Sequence, residues 1–182
     1  MTRDSLDIKP EVLDRAKKIT LLMMDADGVL TDGRILYGNY GDELQSFDVK
    51  DGMGMWLWHQ AGMQSVILSG RRSPMVNRRS KETQVNRVYQ GVKDKKKVYL
   101  AILKEMGKLE EEVCYIGDDL LDLAVFQRVG LAVAVADAVP EARSQAHYIT
   151  ERSGGKGAVR EVVDLLLRAA GRWEKVTQQF RA

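Results

Sequence analysis

The chain of 182 residues carries 28 Lys and Arg against 26 Asp and Glu, and 45% of it is apolar. That length suits one domain around one core, and a formal net charge of only +2 excludes a chain-wide electrostatic footprint for nucleic acid or an anionic membrane. The single cysteine, Cys114, excludes an intrachain disulfide framework, no apolar stretch is long enough to cross a bilayer, and Arg3, Asp4 and Asp7 stand where an export signal would be basic and then apolar, so a soluble cytoplasmic protein is expected.

Taken from the N-terminus, residues 19–24 form the first short apolar run and read as a buried strand. Residues 34–37 and 43–47 flank the turn-rich Gly38-Asn39-Tyr40-Gly41, which predicts a β-hairpin over about 34–47. Helix-length amphipathic segments at 52–60, 74–82, 94–106, 120–127 and 158–169 then alternate with strand-like runs at 65–68, 87–89, 113–116 and 131–135. This alternation predicts an α/β fold, a Rossmann-like parallel sheet with helices on both faces. No linker divides the chain, so one domain over 1–182 is expected. Gly154-Gly155-Lys156-Gly157 reads as a hinge opening a helix, or as an anion cradle. The tail over about 171–182 lacks a clear period and is expected to order against a neighbour.

Residues able to carry chemistry gather at the predicted strand ends. Asp25-Ala26-Asp27-Gly28 follows the first apolar run, so two carboxylates leave the sheet together while Gly28 permits a sharp turn. Read alone, the tetrapeptide is also an Asx-rich turn or a helix cap. Read as chemistry, Asp25 attacks phosphorus, and Asp27 protonates the departing alkoxide and later deprotonates the water that cleaves the acyl phosphate. Gly117-Asp118-Asp119-Leu120-Leu121-Asp122 is a second acidic strand end. Opposed carboxylates need a cation; Asp25, Asp118 and the backbone carbonyl of Asp27 form an oxygen set suited to Mg²⁺. Asp119 is expected to cap the next helix, and Asp122 either caps it or orients water. Ser69-Gly70-Arg71 ends another strand, where Ser69 and backbone N–H groups would hold phosphoryl oxygens. Lys95 is either a fixed counter-charge or, with Lys93, Lys96 and Lys97, a solvated helix start. His59 and His147 stand apart and are expected to pack or lie at the surface, and Trp56 and Trp58 to pack in the core or between subunits.

The order Asp-x-Asp, Ser, Lys and Gly-Asp-Asp-x-x-Asp, at 25–27, 69, 95 and 117–122, resembles the four motifs of the haloacid dehalogenase superfamily. The resemblance implies a haloacid dehalogenase-like sheet, here capless because neither inter-motif gap is long enough for an inserted domain. It implies Asp25 as nucleophile, Asp27 as acid and base, Ser69 and Lys95 as phosphoryl clamps, and Asp25, Asp27 and Asp118 as Mg²⁺ ligands. Thr31-Asp32-Gly33, Tyr89-Gln90-Gly91 and residues 47–54, 134–138 and 154–161 further resemble the 3-deoxy-D-manno-octulosonate 8-phosphate phosphatase family. That implies hydrolysis of the sugar acid phosphate through an aspartyl-phosphate, in lipopolysaccharide precursor synthesis, by a cytoplasmic homotetramer. Its hairpins and glycine-rich C-terminal segments would border neighbouring sites. Carried over by position, Lys50, Asp51, Gly52, Met53 and Gly54 would line the sugar pocket, and Arg71 and Arg79 would join Asp27 and Lys95 in facing the anionic substrate. Guanidinium groups suit carboxylate and phosphate, although both arginines also read as solvated helix-face charges. Two alternatives stand beside this reading: a phosphatase for a nine-carbon sugar acid 9-phosphate, and a non-catalytic phosphate-binding oligomer.

Overall fold

Leu21, Leu22, Met23 and Met24 are all wholly buried, as a strand must be when helices cover both of its faces. In the computed structural model, which describes residues 8–181, this run is the strand from which the site is built. Arg3, Asp4 and Asp7, which bear on the expectation of no export signal, lie outside the described residues.

The elements in chain order are α1 (Pro10–Ala16), β1 (Leu21–Met24), β2 (Leu36–Tyr37), β3 (Glu43–Leu44), α2 (Val49–Gln60), β4 (Gln64–Leu68), α3 (Pro74–Glu82) and β5 (Arg87–Tyr89). There follow α4 (Lys95–Met106), β6 (Val113–Gly117), α5 (Leu123–Phe126), β7 (Leu131–Ala134), α6 (Pro140–Gln145), β8 (Tyr148–Ile149), α7 (Ala158–Ala169) and α8 (Trp173–Thr177). Six strands form one parallel sheet in the order β5-β4-β1-β6-β7-β8. Chain order reverses about β1, with Met24 opposite Ile67 on one side and Ile116 on the other. Ligands of open α/β sheets sit at such a switch point, beyond the carboxyl ends of the strands.

Helix α7 shows how the layers close. Val159, Val162, Val163, Leu166 and Leu167 are buried on the side that packs α2 and α1, while α5 packs against α4 and α6. The α/β parallel sheet covered by helices is therefore as expected. The hairpin is shorter than 34–47: β2 and β3 pair only at Leu36 with Leu44 and Tyr37 with Glu43. Helix α2 begins at Val49, three residues before the predicted start, because the Asp48 side chain accepts from Lys50 N at 2.6 Å and sets the cap there.

Two local expectations are corrected. Gly154-Gly155 is a packed bracket and not a hinge: Gly154 N donates to Asp137 and Gly155 N to the Val29 carbonyl, each at 2.9 Å. A Cβ on Gly154 would fall 1.7 Å from the Gly28 carbonyl oxygen, so only glycine allows this contact. The tail orders on its own chain, as α8 and a 3₁₀ turn over Gln178–Phe180. Val176 is buried, and Phe180 meets Trp56 edge-on at 5.8 Å.

Candidate active site

The carboxyl ends of β1, β4 and β6 and the start of α4 bring Asp25, Ser69, Asp118 and Lys95 to one end of the sheet. Asp25 follows β1 directly, its N–H bonded to the Ile116 carbonyl of β6 at 3.0 Å, so its backbone is still held as strand. One carboxylate oxygen accepts from Ala26 N at 2.6 Å and the other from Lys95 Nζ at 2.6 Å. Lys95, 3% exposed, also donates to Asp122 at 2.7 Å and lies 3.2 Å from the Tyr115 hydroxyl. Burial works to depress the Lys95 ammonium, but attraction to Asp25 and Asp122 outweighs it and holds the group above its usual value. Burial pushes Asp25 up to about 6, with Lys95 opposing and Asp122 assisting.

Asp122 is the residue whose role the sequence left open. It is fully buried, and each of its oxygens is spent twice. One takes Lys95 and the Tyr115 hydroxyl at 2.7 Å each, and the other takes the backbone N–H groups of Asp118 at 2.9 Å and Asp119 at 3.3 Å. Asp122 thus folds the loop after β6 and anchors Lys95. Asp119 caps as expected, accepting from Leu120 N.

Asp118 differs from both. Its carboxylate accepts no hydrogen bond among the described residues, yet burial pushes it up to about 8, with Asp122, Asp25 and Asp119 adding repulsion. Oxygens of Asp25, Asp118 and Asp122 lie within 4.8 Å of one another. Gly28 (φ +81°) makes room for this: a Cβ there would stand 1.9 Å from Asp118 Oδ2. A desolvated, unpartnered carboxylate facing another across so short a gap is chemically matched to a hard divalent cation. The carbonyl of Asp27 accepts no hydrogen bond among the described residues and is free to join such a set.

The Asp27 side chain leads elsewhere. Arg71 grips both of its oxygens, Nε and Nη2 each at 2.9 Å, and Gln45 Nε2 donates to it at 2.6 Å. Arg71 also reaches Glu43 at 2.6 Å. Ser69 is buried; its hydroxyl accepts from Arg71 N at 3.3 Å, which orders the turn after β4. The expectation that Asp51 lines the sugar pocket is corrected. Asp51 is 2% exposed and caps α7, accepting from Gly157 N at 3.3 Å and Arg160 N at 2.8 Å. Gly54 serves the same packing, since a Cβ on it would sit 3.0 Å from Arg160 Cα. Arg79 donates to the Asp48 carbonyl at 2.9 Å and, with Gly52, Met53, Trp56 and Phe180, lines a groove of about 430 Å³. Lys50 is exposed. Arg160 is taken up by Asp164 at 2.7 Å. His59 and His147 pair with Ser65 and with Ala132 N, outside the site.

Glu43, Gln45 and Tyr115 were not singled out from the sequence. For the first two a signal existed: they alternate about Leu44, so a strand there puts both on one face. Tyr115 lies inside an apolar strand run, where nothing distinguishes it from a core aromatic.

Similarity to known proteins agrees with this geometry. The haloacid dehalogenase-like hydrolase family matches residues 72–162. The 3-deoxy-D-manno-octulosonate 8-phosphate phosphatase KdsC of Yersinia pestis is 43% identical over 170 residues, 93% of this chain and 91% of that protein. The crystal structure of the Yersinia pestis phosphatase superposes with a TM-score of 0.89 at 44% identity, covering 91% of this chain and 89% of that one. The Moraxella catarrhalis phosphatase, solved in complex with magnesium ion, phosphate ion and KDO, gives 0.91 at 38% identity, covering 93% of this chain and 98% of that one. With three of the motifs at the ends of β1, β4 and β6, the fourth at the start of α4, and likeness along nearly its whole length, the chain belongs to the haloacid dehalogenase-like hydrolases and, within them, to the KdsC phosphatase family.

Proposed function

We propose that this chain is a Mg²⁺-dependent phosphatase that hydrolyses 3-deoxy-D-manno-octulosonate 8-phosphate to the free sugar acid and phosphate, in lipopolysaccharide precursor synthesis. The observation that carries the reading is the buried contact of Lys95 with Asp25, with the unpartnered carboxylate of Asp118 across from it. Asp25, Asp118 and the carbonyl of Asp27 would hold Mg²⁺, which supplies positive charge against the phosphoryl oxygens. Asp25 attacks phosphorus in line with the departing sugar oxygen and becomes an aspartyl-phosphate. Lys95, kept charged by Asp25 and Asp122, and Ser69 with the backbone N–H groups after β4, stabilise the equatorial oxygens as charge spreads onto them. Asp27 gives a proton to the leaving oxygen and then takes one from the water that cleaves the aspartyl-phosphate. Arg71, held at the site by Asp27 and Glu43, is a guanidinium that a substrate carboxylate or phosphate could share.

The working unit in this reading is one domain per chain, assembled as a cytoplasmic homotetramer. Leu36, Tyr37, Tyr40 and Leu44 support it: all four hairpin side chains are exposed, Tyr40 by 99%, and a second copy would cover them and screen an open site from water. Light scattering tests the assembly; a fully active monomer would overturn it. The substrate is tested by kcat/KM on eight-carbon and nine-carbon sugar acid phosphates with Mg²⁺ present. The eight-carbon compound is expected to be turned over faster, and the reverse order would assign the chain to nine-carbon substrates.

A further inference from the structure

We propose that Gln45 of the hairpin is a positioning residue for Asp27, setting the direction from which a proton reaches the leaving oxygen. The inference rests on the acid and base role of Asp27 given above.

A primary amide has a donor end and an acceptor end, and both ends of Gln45 are used. Nε2 donates to Asp27 Oδ1 at 2.6 Å, while Oε1 accepts from the Ser73 hydroxyl at 2.7 Å. Ser73 is a firm anchor: it is 3% exposed, its N–H is bonded to Gln90 at 2.6 Å, and it opens α3. Two residues before it, at the start of the hairpin strand, Glu43 holds Arg71, which in turn grips both oxygens of Asp27. Three N–H donors from two sides therefore fix the plane of the Asp27 carboxylate. Gln45 adds nothing to the core; Leu44 beside it is 58% exposed, and the ladder it borders is two residues long. Its contacts explain an orientation and not a fold.

As the Asp25 oxygen bonds to phosphorus and the bond from phosphorus to the sugar oxygen breaks, the Asp27 proton goes to that oxygen. The attacking water later returns a proton to Asp27 as phosphate departs. A carboxyl held at the wrong angle serves neither transfer, and a displacement of about 1 Å can cost on the order of a hundredfold in rate.

The test exploits leaving groups. The value of kcat/KM reports steps through departure of the alcohol. The sugar phosphate releases an alkoxide that needs a proton, whereas 4-nitrophenyl phosphate releases a stable phenolate that does not. Gln45→Met and Ser73→Ala are compared with wild type on both compounds, with Asp27→Asn as the reference and melting temperature as the folding control. Gln45→Met is expected to lower kcat/KM on the sugar phosphate by roughly tenfold to a hundredfold and to leave the 4-nitrophenyl value within about twofold; Ser73→Ala should share the pattern with a smaller loss. Selectivity in Asp27→Asn without selectivity in Gln45→Met, or an equal loss on both compounds in a folded Gln45→Met, would overturn the inference. Absence of selectivity in Asp27→Asn itself would overturn the role of Asp27, and the inference with it.

Discussion

The ammonium of Lys95 lies 2.7 Å from Asp122 Oδ1, and the side chains of the pair are 1% and 0% exposed. Asp122 also receives a tyrosine hydroxyl and two backbone N–H groups, so removal of Lys95 strands a charge inside a loop it organises. Lys95→Met should leave Asp25 and Asp122 buried without a counter-charge and cost about 3–5 kcal/mol of stability, read as a lower urea midpoint. Turnover should fall by on the order of a hundredfold to a thousandfold, because a fixed donor to the transferring phosphoryl group is lost. A folded variant with unchanged midpoint and activity would show that the triad of charges is dispensable.

Asp25→Asn separates chemistry from folding. Its one side-chain oxygen can keep Lys95 while the Ala26 N–H bond is lost, and Asp122 still partners that ammonium, so stability in urea should fall by only about 1–2 kcal/mol. The amide is no nucleophile towards phosphorus, and turnover should drop by at least about a thousandfold, with no acid-stable phosphoenzyme after rapid quench. Turnover at the wild-type rate would remove Asp25 from the reaction path.

The legible part of this molecule is the part whose cause is local. Asp25 and Asp118 each follow a short apolar run, and an apolar run ended by an acid at a parallel strand's carboxyl end is readable without knowing what lies opposite. Asp51 was misplaced because the two N–H groups that claim it belong to Gly157 and Arg160, more than a hundred residues on. The same distance hid the bracket role of Gly154, which shows in the sequence only as one glycine among sixteen. Helix α6 spans six residues and β8 two, lengths at which periodicity carries no signal and only pairing with β7 defines the strand. The tail lacks a period because its hold is tertiary: Val176 is buried and Phe180 meets Trp56, and these contacts lay it on its own chain.

Gly28 tests the metal assignment from the backbone side. At φ +81° any side chain is strained by about 1 kcal/mol, and a Cβ there would press on Asp118 Oδ2. Gly28→Ala should push Asp118 off its line and raise the Mg²⁺ concentration for half-maximal activity by about tenfold to a hundredfold. The check is a Mg²⁺ titration of activity beside calorimetric binding of Mg²⁺ to the free protein. Unchanged affinity in a folded variant would detach Asp118 from the metal.

Asp51 gives the fold a pH dependence separable from catalysis. Its carboxyl titrates near 3.8 when unconstrained; burial pushes it to about 6 in the folded chain, with Asp48 assisting and the N–H groups of Arg160 and Gly157 and the Arg79 guanidinium opposing. Between those values the folded chain keeps a proton that the unfolded chain has released, so stability falls as pH rises. The contribution is full below about 3.8 and is lost as pH passes through about 6. Asp51→Asn, neutral throughout, lacks this dependence. In urea unfolding, wild type should therefore gain roughly 1–2 kcal/mol relative to Asp51→Asn on going from about pH 8 to about pH 5. A difference that stays flat, or that favours wild type more at the alkaline end, would mean that the two backbone donors keep Asp51 ionised in its cap and that burial loses the contest.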